Sequence, residues 1–269
     1  MPSDVAVVTD STAYLPEVPG VTVVPVQVIS GEVACDEGDF SGNIATATTS
    51  RPAPSRFAAC YAALAEGGAS AVVSVHLSAA LSGTVESARS AARDAPVPVE
   101  VVDSRSIGLG LGFPVLAAAL AATSGGSAET VAAAARECAA RTRTFFYVDT
   151  LDHIRRGGRI GTAASLVGSA LLIKPLLHLV DGQISLLEKV RTSSRAIARL
   201  EDVASEAAGD EPVEIAVQHL AAPDRAQALA DRLAKRLPGA VRTRVVEVGA
   251  VIGVHVGSGM LGVTLTPAR

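Results

Sequence analysis

Short β-branched runs alternate with alanine-rich segments along the first half of the chain. Four runs rich in Val and bounded by turn residues are typical of buried strands, at residues 5–9, 21–29, 70–77 and 97–103. Alanine-rich stretches that predict helices lie at residues 54–66, 84–92, 112–122 and 127–141. Continuous apolar strands joined by helices imply a parallel sheet covered on both faces, which is a three-layer α/β/α domain.

The pattern changes in the second half of the chain. A strand-like run at 144–148 is followed by a glycine-rich basic turn and a helical stretch of small residues. Residues 173–190 predict two strands joined at Asp181-Gly182, a strong hairpin signal. Helical patterns at 194–208 and 224–237 alternate with strand patterns at 213–218 and 241–246. We therefore predict a second, two-layer α/β domain with a mixed sheet, and divide the chain into residues 1–145 and 146–269.

Composition narrows the class of protein. Of 269 residues, 49% are apolar and 19% are charged, so the chain can bury a large core. A net charge of −4 argues against general binding to a nucleic-acid backbone, and the absence of Trp argues against a platform that stacks bases. The three cysteines, Cys35, Cys60 and Cys138, are widely spaced, which fits a reducing compartment. The N-terminus carries acids, and no apolar tract is long enough to span a bilayer. These features favour a cytoplasmic protein with at most transient membrane contact.

Hydroxyl-rich segments stand at the ends of the predicted strands. Ligands of open parallel sheets bind beyond the carboxyl ends of the strands. The side chains concerned are Thr48, Thr49, Ser50, Ser78, Ser82 and Thr84. Each hydroxyl can cap a helix, but together with the N–H groups of helix starts they also suit a phosphate or a carboxylate.

Several kinds of site are not supported. The chain has no GxxxxGK[ST] phosphate loop and no His or Cys spacing typical of a metal site. Gly257, Gly259 and Gly262 form a GxGxxG, but only seven residues follow it, too few for a dinucleotide-binding unit. We expect no metal and no cofactor, and interpret these glycines as a tight turn that passes close to another group.

A hydrolase is the enzymatic alternative. Its nucleophile would be Ser82 or Ser78 and its base His255, with an acid from Asp103 or Asp10. Ala80 stands where the nucleophile elbow GxSxG has its first glycine, which weakens this hypothesis. His153, His178 and His219 fit structural roles better than catalytic ones. Arg159 lies either in a solvated turn or inward against a carboxylate, which its planar guanidinium fits well.

Seven short motifs occur together in one order. They are VTDSTAYLP at 8–16, TSRP at 49–52, LSGT at 81–84, VDSRSIGLGLG at 102–112, LDHIRRGGRIG at 151–161, IKPLL with DGQI at 173–184, and HVGSGMLGV at 255–263. In this order they resemble the DegV family of bacterial fatty-acid-binding proteins. Arg51 replaces a more usual Gln of the TSRP motif, and Ser258 replaces a more usual Pro.

The resemblance implies a non-enzymatic, DegV-like carrier that holds one long-chain fatty acid in an apolar tunnel between two α/β domains. Some members of the family present the carboxylate to a fatty acid kinase, which forms an acyl phosphate for phospholipid synthesis. Matched residue by residue, Thr49, Ser50 and Ser82 would bind the carboxylate, with Ser78 as a second choice. Arg159 and His255 would belong to the polar network behind the head group.

Overall fold

A computed structural model describes residues 4–161 and 173–268. The chain divides into two compact units: Met1–Phe40 with Thr49–Ala140, and Ser41–Thr48 with Arg141–Arg269. The short segment Ser41–Thr48 thus belongs by its contacts to the second unit. The predicted helix of small residues after Gly161 lies outside the described residues.

The first unit contains the parallel sheet that the apolar pattern predicts. The strands of this part of the chain are β1 (Val5–Asp10), β2 (Val21–Val24), β3 (Gln27–Ser30), β4 (Val33–Asp36), β5 (Thr48–Ser50), β6 (Ala71–His76) and β7 (Val99–Asp103). Its helices are α1 (Pro54–Glu66), α2 (Thr84–Ala92), α3 (Leu109–Thr123) and α4 (Ala128–Arg141). Thr48 at the start of β5 and Arg141 at the end of α4 are already counted with the second unit. The main sheet has the order β2-β1-β6-β7, with every pair parallel.

Helices cover both faces of this sheet. Val8 and Val72 pack with residues of α1 and α2. Their chain neighbours Val7 and Val73 pack with residues of α3 and α4, because successive side chains of a strand point to opposite faces. The three-layer α/β/α architecture is confirmed.

The run at 21–29 is not one strand, as the sequence predicted. β2 pairs with β1 in the parallel sheet, whereas β3 pairs with β4 in a separate three-stranded sheet of order β4-β3-β5. Pro25 lies between them and has no N–H for a ladder, and the N–H of Val26 donates to Oγ of Ser11 at 3.1 Å. The break therefore follows from proline together with a side chain 15 residues away.

The second unit contains a six-stranded mixed sheet of order β10-β9-β8-β13-β11-β12. Its elements are β8 (Arg143–Tyr147), α5 (Asp152–Arg156), β9 (Lys174–Val180), β10 (Gln183–Val190), α6 (Ser193–Ala208), β11 (Val213–His219), α7 (Pro223–Arg236), β12 (Ala240–Glu247), α8 (Ala250–Val256) and β13 (Leu261–Pro267). α6 and α7 supply the helical side of its core, which gives the predicted two layers.

The end of the chain departs from the sequence prediction. We interpreted the surroundings of His255 as a glycine loop, but His255 lies in the last turn of α8, and β13 follows the loop. β13 pairs antiparallel with both β8 and β11, which places it inside the sheet. Pairing of strands this distant in the chain is not visible in local periodicity.

Candidate functional site

The loop between β6 and α2 forms a tight turn that holds two of the predicted hydroxyls. The carbonyl of Ser78 accepts the N–H groups of Leu81 at 3.0 Å and Ser82 at 3.1 Å. Oγ of Ser82 lies 2.9 Å from Oγ1 of Thr84, the first residue of α2. Ser82 is half-buried and Thr84 is fully buried. The turn therefore fixes a pair of hydroxyls at a helix start, where no side chain caps the helix.

Asp103, at the end of β7, fixes this loop from the neighbouring strand. Its Oδ1 accepts the N–H of Ala79 at 3.2 Å and that of Arg105 at 2.8 Å. The N–H of Ser78 also donates to the carbonyl of Ser106 at 2.8 Å. The contacts that the structure gives for Asp103 are thus those of a loop anchor, not of an acid that orients a catalytic histidine.

The segment that begins at β5 contributes Thr49, Ser50 and Arg51. Thr49 and Ser50 are half-buried. The hydroxyl of Ser50 donates to the carbonyl of Arg51 at 3.3 Å, so in this arrangement its proton is directed at the backbone. The side chain of Arg51 lies against Gly83, where a methyl group would come within 2.5 Å of its Nη1. The structure therefore brings Arg51 to the same turn as Ser82.

A buried chain of hydrogen bonds supports the two strand ends, and the sequence analysis missed it. Nδ1 of His76 lies 3.0 Å from Oδ2 of Asp10, and its Nε2 lies 2.7 Å from Oγ of Ser74. Oγ of Ser74 in turn lies 2.9 Å from the hydroxyl of Tyr61. A carboxylate can only accept, so Nδ1 of His76 donates to Asp10.

This chain connects the polypeptide after β1 with the polypeptide after β6. Asp10 also accepts the N–H of Leu77 at 3.0 Å and the hydroxyl of Thr12 at 2.5 Å. Burial raises the pKa of Tyr61 to about 12, so this hydroxyl keeps its proton. A signal existed in the sequence: Asp10 directly follows the predicted strand at 5–9, and His76 lies near the end of the predicted strand at 70–77. The adjacency of β1 and β6 was the missing information.

In the second unit, His255 packs into a space that glycine provides. A methyl group on Gly157 would overlap Nδ1 of His255 and lie 2.9 Å from its Cε1. Burial lowers the pKa of His255 to about 4, with a further contribution from the positive charges of Arg159 and Arg156. The imidazole is therefore neutral at pH 7, and it offers a hydrogen bond rather than a charge.

Arg159 lies beside this histidine, and its guanidinium donates to the carbonyl of Gly157. Arg159 is half-buried, so it lies neither fully in solvent nor fully inward, the two alternatives that the sequence left open. On the other side of the glycine loop, a methyl group on Gly259 would lie 2.5 Å from Oδ2 of Asp149. Gly257 and Gly259 both have positive φ and form a tight turn in close contact with a side chain, as predicted, whereas Gly262 lies within β13 and not in the turn.

The predicted site residues thus fall into two sets. The first unit holds Thr49, Ser50, Ser78 and Ser82, and the second holds Arg159 and His255. Among residues 4–161 and 173–268, no group of three or more His, Cys, Asp or Glu could hold a metal ion. No helix in the described part of the chain has the length and apolar character needed to cross a membrane.

Comparison with known proteins places these observations in a family. A sequence model described as an uncharacterised protein of the DegV family matches residues 4–268. A DegV domain-containing protein of Streptomyces coelicolor is 55% identical, with 99% of each chain covered. Relatives of this kind share the whole chain and not one domain.

Two solved structures are similar over the whole fold. The structure of a DegV family protein from Thermus thermophilus, reported for its fatty acid binding, has a TM-score of 0.91 and 32% identity, with 100% of each chain covered. The structure of DegV from Bacillus subtilis, described as a fatty acid binding protein, has a TM-score of 0.86 and 32% identity over 98% of this chain and 99% of that one. This protein therefore belongs to the DegV family.

Proposed function

We propose that this protein binds one long-chain fatty acid and acts as a carrier without chemistry of its own. The observation that supports this most directly is the match to the Thermus protein, which covers 100% of both chains and whose structure was reported for fatty acid binding. Each buried CH₂ of an acyl chain contributes about 0.8 kcal/mol, so the tail would supply most of the affinity.

In this proposal the carboxylate is held by hydroxyl groups of the first unit. Ser82 is the first choice, since it is half-buried and paired with Thr84 at a helix start. Thr49 and Ser78 are further contacts, and Ser50 would have to turn its hydroxyl away from the Arg51 carbonyl to donate. In the second unit, we propose Arg159 and His255 as further residues that serve ligand binding, with His255 as a neutral group. Such convergent donors prevent the burial of an unpaired charge.

The test of lipid binding is analysis of the protein as purified. We expect mass spectrometry of a denatured, extracted sample to show about one long-chain acyl species per chain. We also expect the delipidated protein to bind added palmitate or oleate. A sample without acyl species that also fails to bind either acid would contradict the proposal.

We further propose that a cytoplasmic fatty acid kinase takes the bound carboxylate and forms an acyl phosphate for phospholipid metabolism. In this proposal Arg159 contributes more to presenting the fatty acid to the kinase than to binding the fatty acid. We expect Arg159→Ala to keep fatty acid affinity while acyl phosphate formation with a cognate kinase falls. Equal kinase turnover by wild type and Arg159→Ala would remove this role from Arg159.

An acyl hydrolase is the alternative function, and one arrangement favours it. Ser74, His76 and Asp10 are hydrogen-bonded in the order of a catalytic triad. All three residues are 0% exposed, however, and the Ser74 hydroxyl is already paired with Tyr61. A hydrolase predicts ester turnover and covalent labelling of a serine by a fluorophosphonate, and a carrier predicts neither.

A further inference from the structure

The guanidinium of Arg51 occupies the space beside the Ser82 turn. A methyl group built on Gly83 would lie 2.5 Å from Nη1 and 2.7 Å from Cδ of Arg51, so the side chain lies across the backbone of that glycine. Gly83 separates the two paired hydroxyls of Ser82 and Thr84. The exposed side chain of Arg51 therefore lies at the turn that carries the hydroxyl pair, although Arg51 and Ser82 are far apart in sequence.

No carboxylate in the described ranges 4–161 and 173–268 forms an ion pair with Arg51. The contrast with Arg56, five residues later in α1, is informative. Arg56 is bonded through both terminal nitrogens to Asp36, and this pairing lowers the pKa of that carboxyl. Arg51 has no such carboxylate partner among residues 4–161 and 173–268, and its exposed side chain lies against Gly83.

We propose that Arg51 is a specificity-determining residue that pairs with the ionised head group of the ligand, so that the protein distinguishes a carboxylate from a neutral lipid of equal length. This inference rests on the proposed function and adds a positively charged residue to the proposed carboxylate site. Hydroxyl groups alone can donate to the oxygen of an acid or of an alcohol, whereas a guanidinium favours the anion. The acyl tail contributes equally to an acid and to an alcohol of the same length, so the difference between them isolates the head group.

The experiment compares wild type with Arg51→Gln for palmitate and for hexadecanol, by displacement of a fluorescent fatty acid from delipidated protein. We expect Arg51→Gln to weaken palmitate binding about 2- to 5-fold at 50 mM salt and to leave hexadecanol binding unchanged, as the loss of a partly exposed ion pair would. The loss should shrink at 0.5 M salt, since added ions screen exposed charges. If wild type binds no measurable hexadecanol, the salt dependence of palmitate binding alone tests whether Arg51 pairs with the carboxylate.

Two further variants test the explanation. Arg51→Lys keeps the cation and should retain most of the preference for the acid. Arg89→Gln is the matched control, because Arg89 is an exposed arginine of α2 and its loss makes the same change in net charge. It should bind both lipids as wild type does.

Three results would overturn the inference. One is unchanged palmitate affinity in Arg51→Gln, and another is an equal loss for acid and alcohol, which would mark a structural role. The third is wild-type protein that binds the alcohol as tightly as the acid, which would leave lipid binding intact but remove recognition of charge. A wild type that binds neither lipid would instead contradict the proposed function itself.

Discussion

The imidazole of His255 lies directly over Gly157, in space that no other residue type would leave. A methyl group at Gly157 would overlap Nδ1 of the ring. The contact is reciprocal, because His153 lies against Gly257, where a methyl group would be 2.7 Å from its Cδ2. α5 and α8 thus pack through two histidines, each against a glycine near the other helix.

Gly157→Ala should destabilise the protein by about 1–3 kcal/mol, as overpacking of a filled site does. The measurement is the free energy of unfolding in urea. The double variant Gly157→Ala with His255→Ala should recover most of the loss, since it removes the ring that the methyl group meets. Gly38→Ala is the control, because no atom of the described part of the chain lies within 4 Å of a methyl group there. No recovery in the double variant would contradict the contact.

His255 should make stability fall as the pH falls from about 6.5 towards 4. Its pKa is lowered to about 4 in the folded chain by burial and by Arg159 and Arg156, so the unfolded chain takes up the proton first. The contribution is at most about 3 kcal/mol across this window. His255→Gln, which is neutral throughout, should show a flatter decline in the free energy of unfolding.

Removal of one cation should also change this titration. We expect Arg159→Gln to raise the pKa of His255, because one of the positive charges that oppose protonation is gone. NMR titration of the imidazole resonances measures the shift directly. An unchanged or lower pKa would show that Arg159 does not act on the ring through its charge.

Ser82→Ala should weaken fatty acid binding about 10- to 150-fold, the cost of one hydrogen bond to a charged group. Binding should persist, because the acyl tail keeps its apolar contribution. Titration with a fluorescent fatty acid measures the loss, and Ser90→Ala, an exposed serine of α2, is the matched control. Wild-type affinity in a folded Ser82→Ala protein would mean that the carboxylate binds elsewhere.

Substitutions along the buried hydrogen-bonded chain from Asp10 to Tyr61 should lower the free energy of unfolding by different amounts. His76→Leu leaves the buried Asp10 carboxylate without its imidazole partner, and we expect the free energy of unfolding to fall by about 1.5–3 kcal/mol, the cost of a hydrogen bond to a charged group. Tyr61→Phe removes only the last hydroxyl, and we expect about 1 kcal/mol. Urea unfolding compares the two variants. Equal and small losses would show that the network does not support the strand ends.

Features encoded locally were predictable from the sequence. α1 begins at Pro54 and ends at Glu66 as predicted, because proline suits the first helical turn and two glycines follow the helix. Asp181 and Gly182 both have positive φ, as the turn of a two-residue hairpin requires. In these places neighbouring residues alone determine the backbone.

Features that depend on distant partners were not predictable in this way. α8 is rich in valine and resembles a strand in sequence, but it is a helix that packs against α5. The pairing of His76 with Asp10 joins residues 66 positions apart. The hydroxyl-rich loops were found because polar residues at strand ends are visible in sequence, whereas the buried network behind them needed the strand order.

The segment Ser41–Thr48 has a consequence for how the chain is made. Synthesis on a ribosome delivers this segment about 90 residues before the rest of the second unit, since its partners begin at Arg141. Ile44 is one example, because it lies near Gly253 in α8. The nascent chain can complete most of the first unit while these eight residues still lack their partners. In an expressed fragment that stops at residue 140, the segment Ser41–Thr48 would never meet its partners from the second unit.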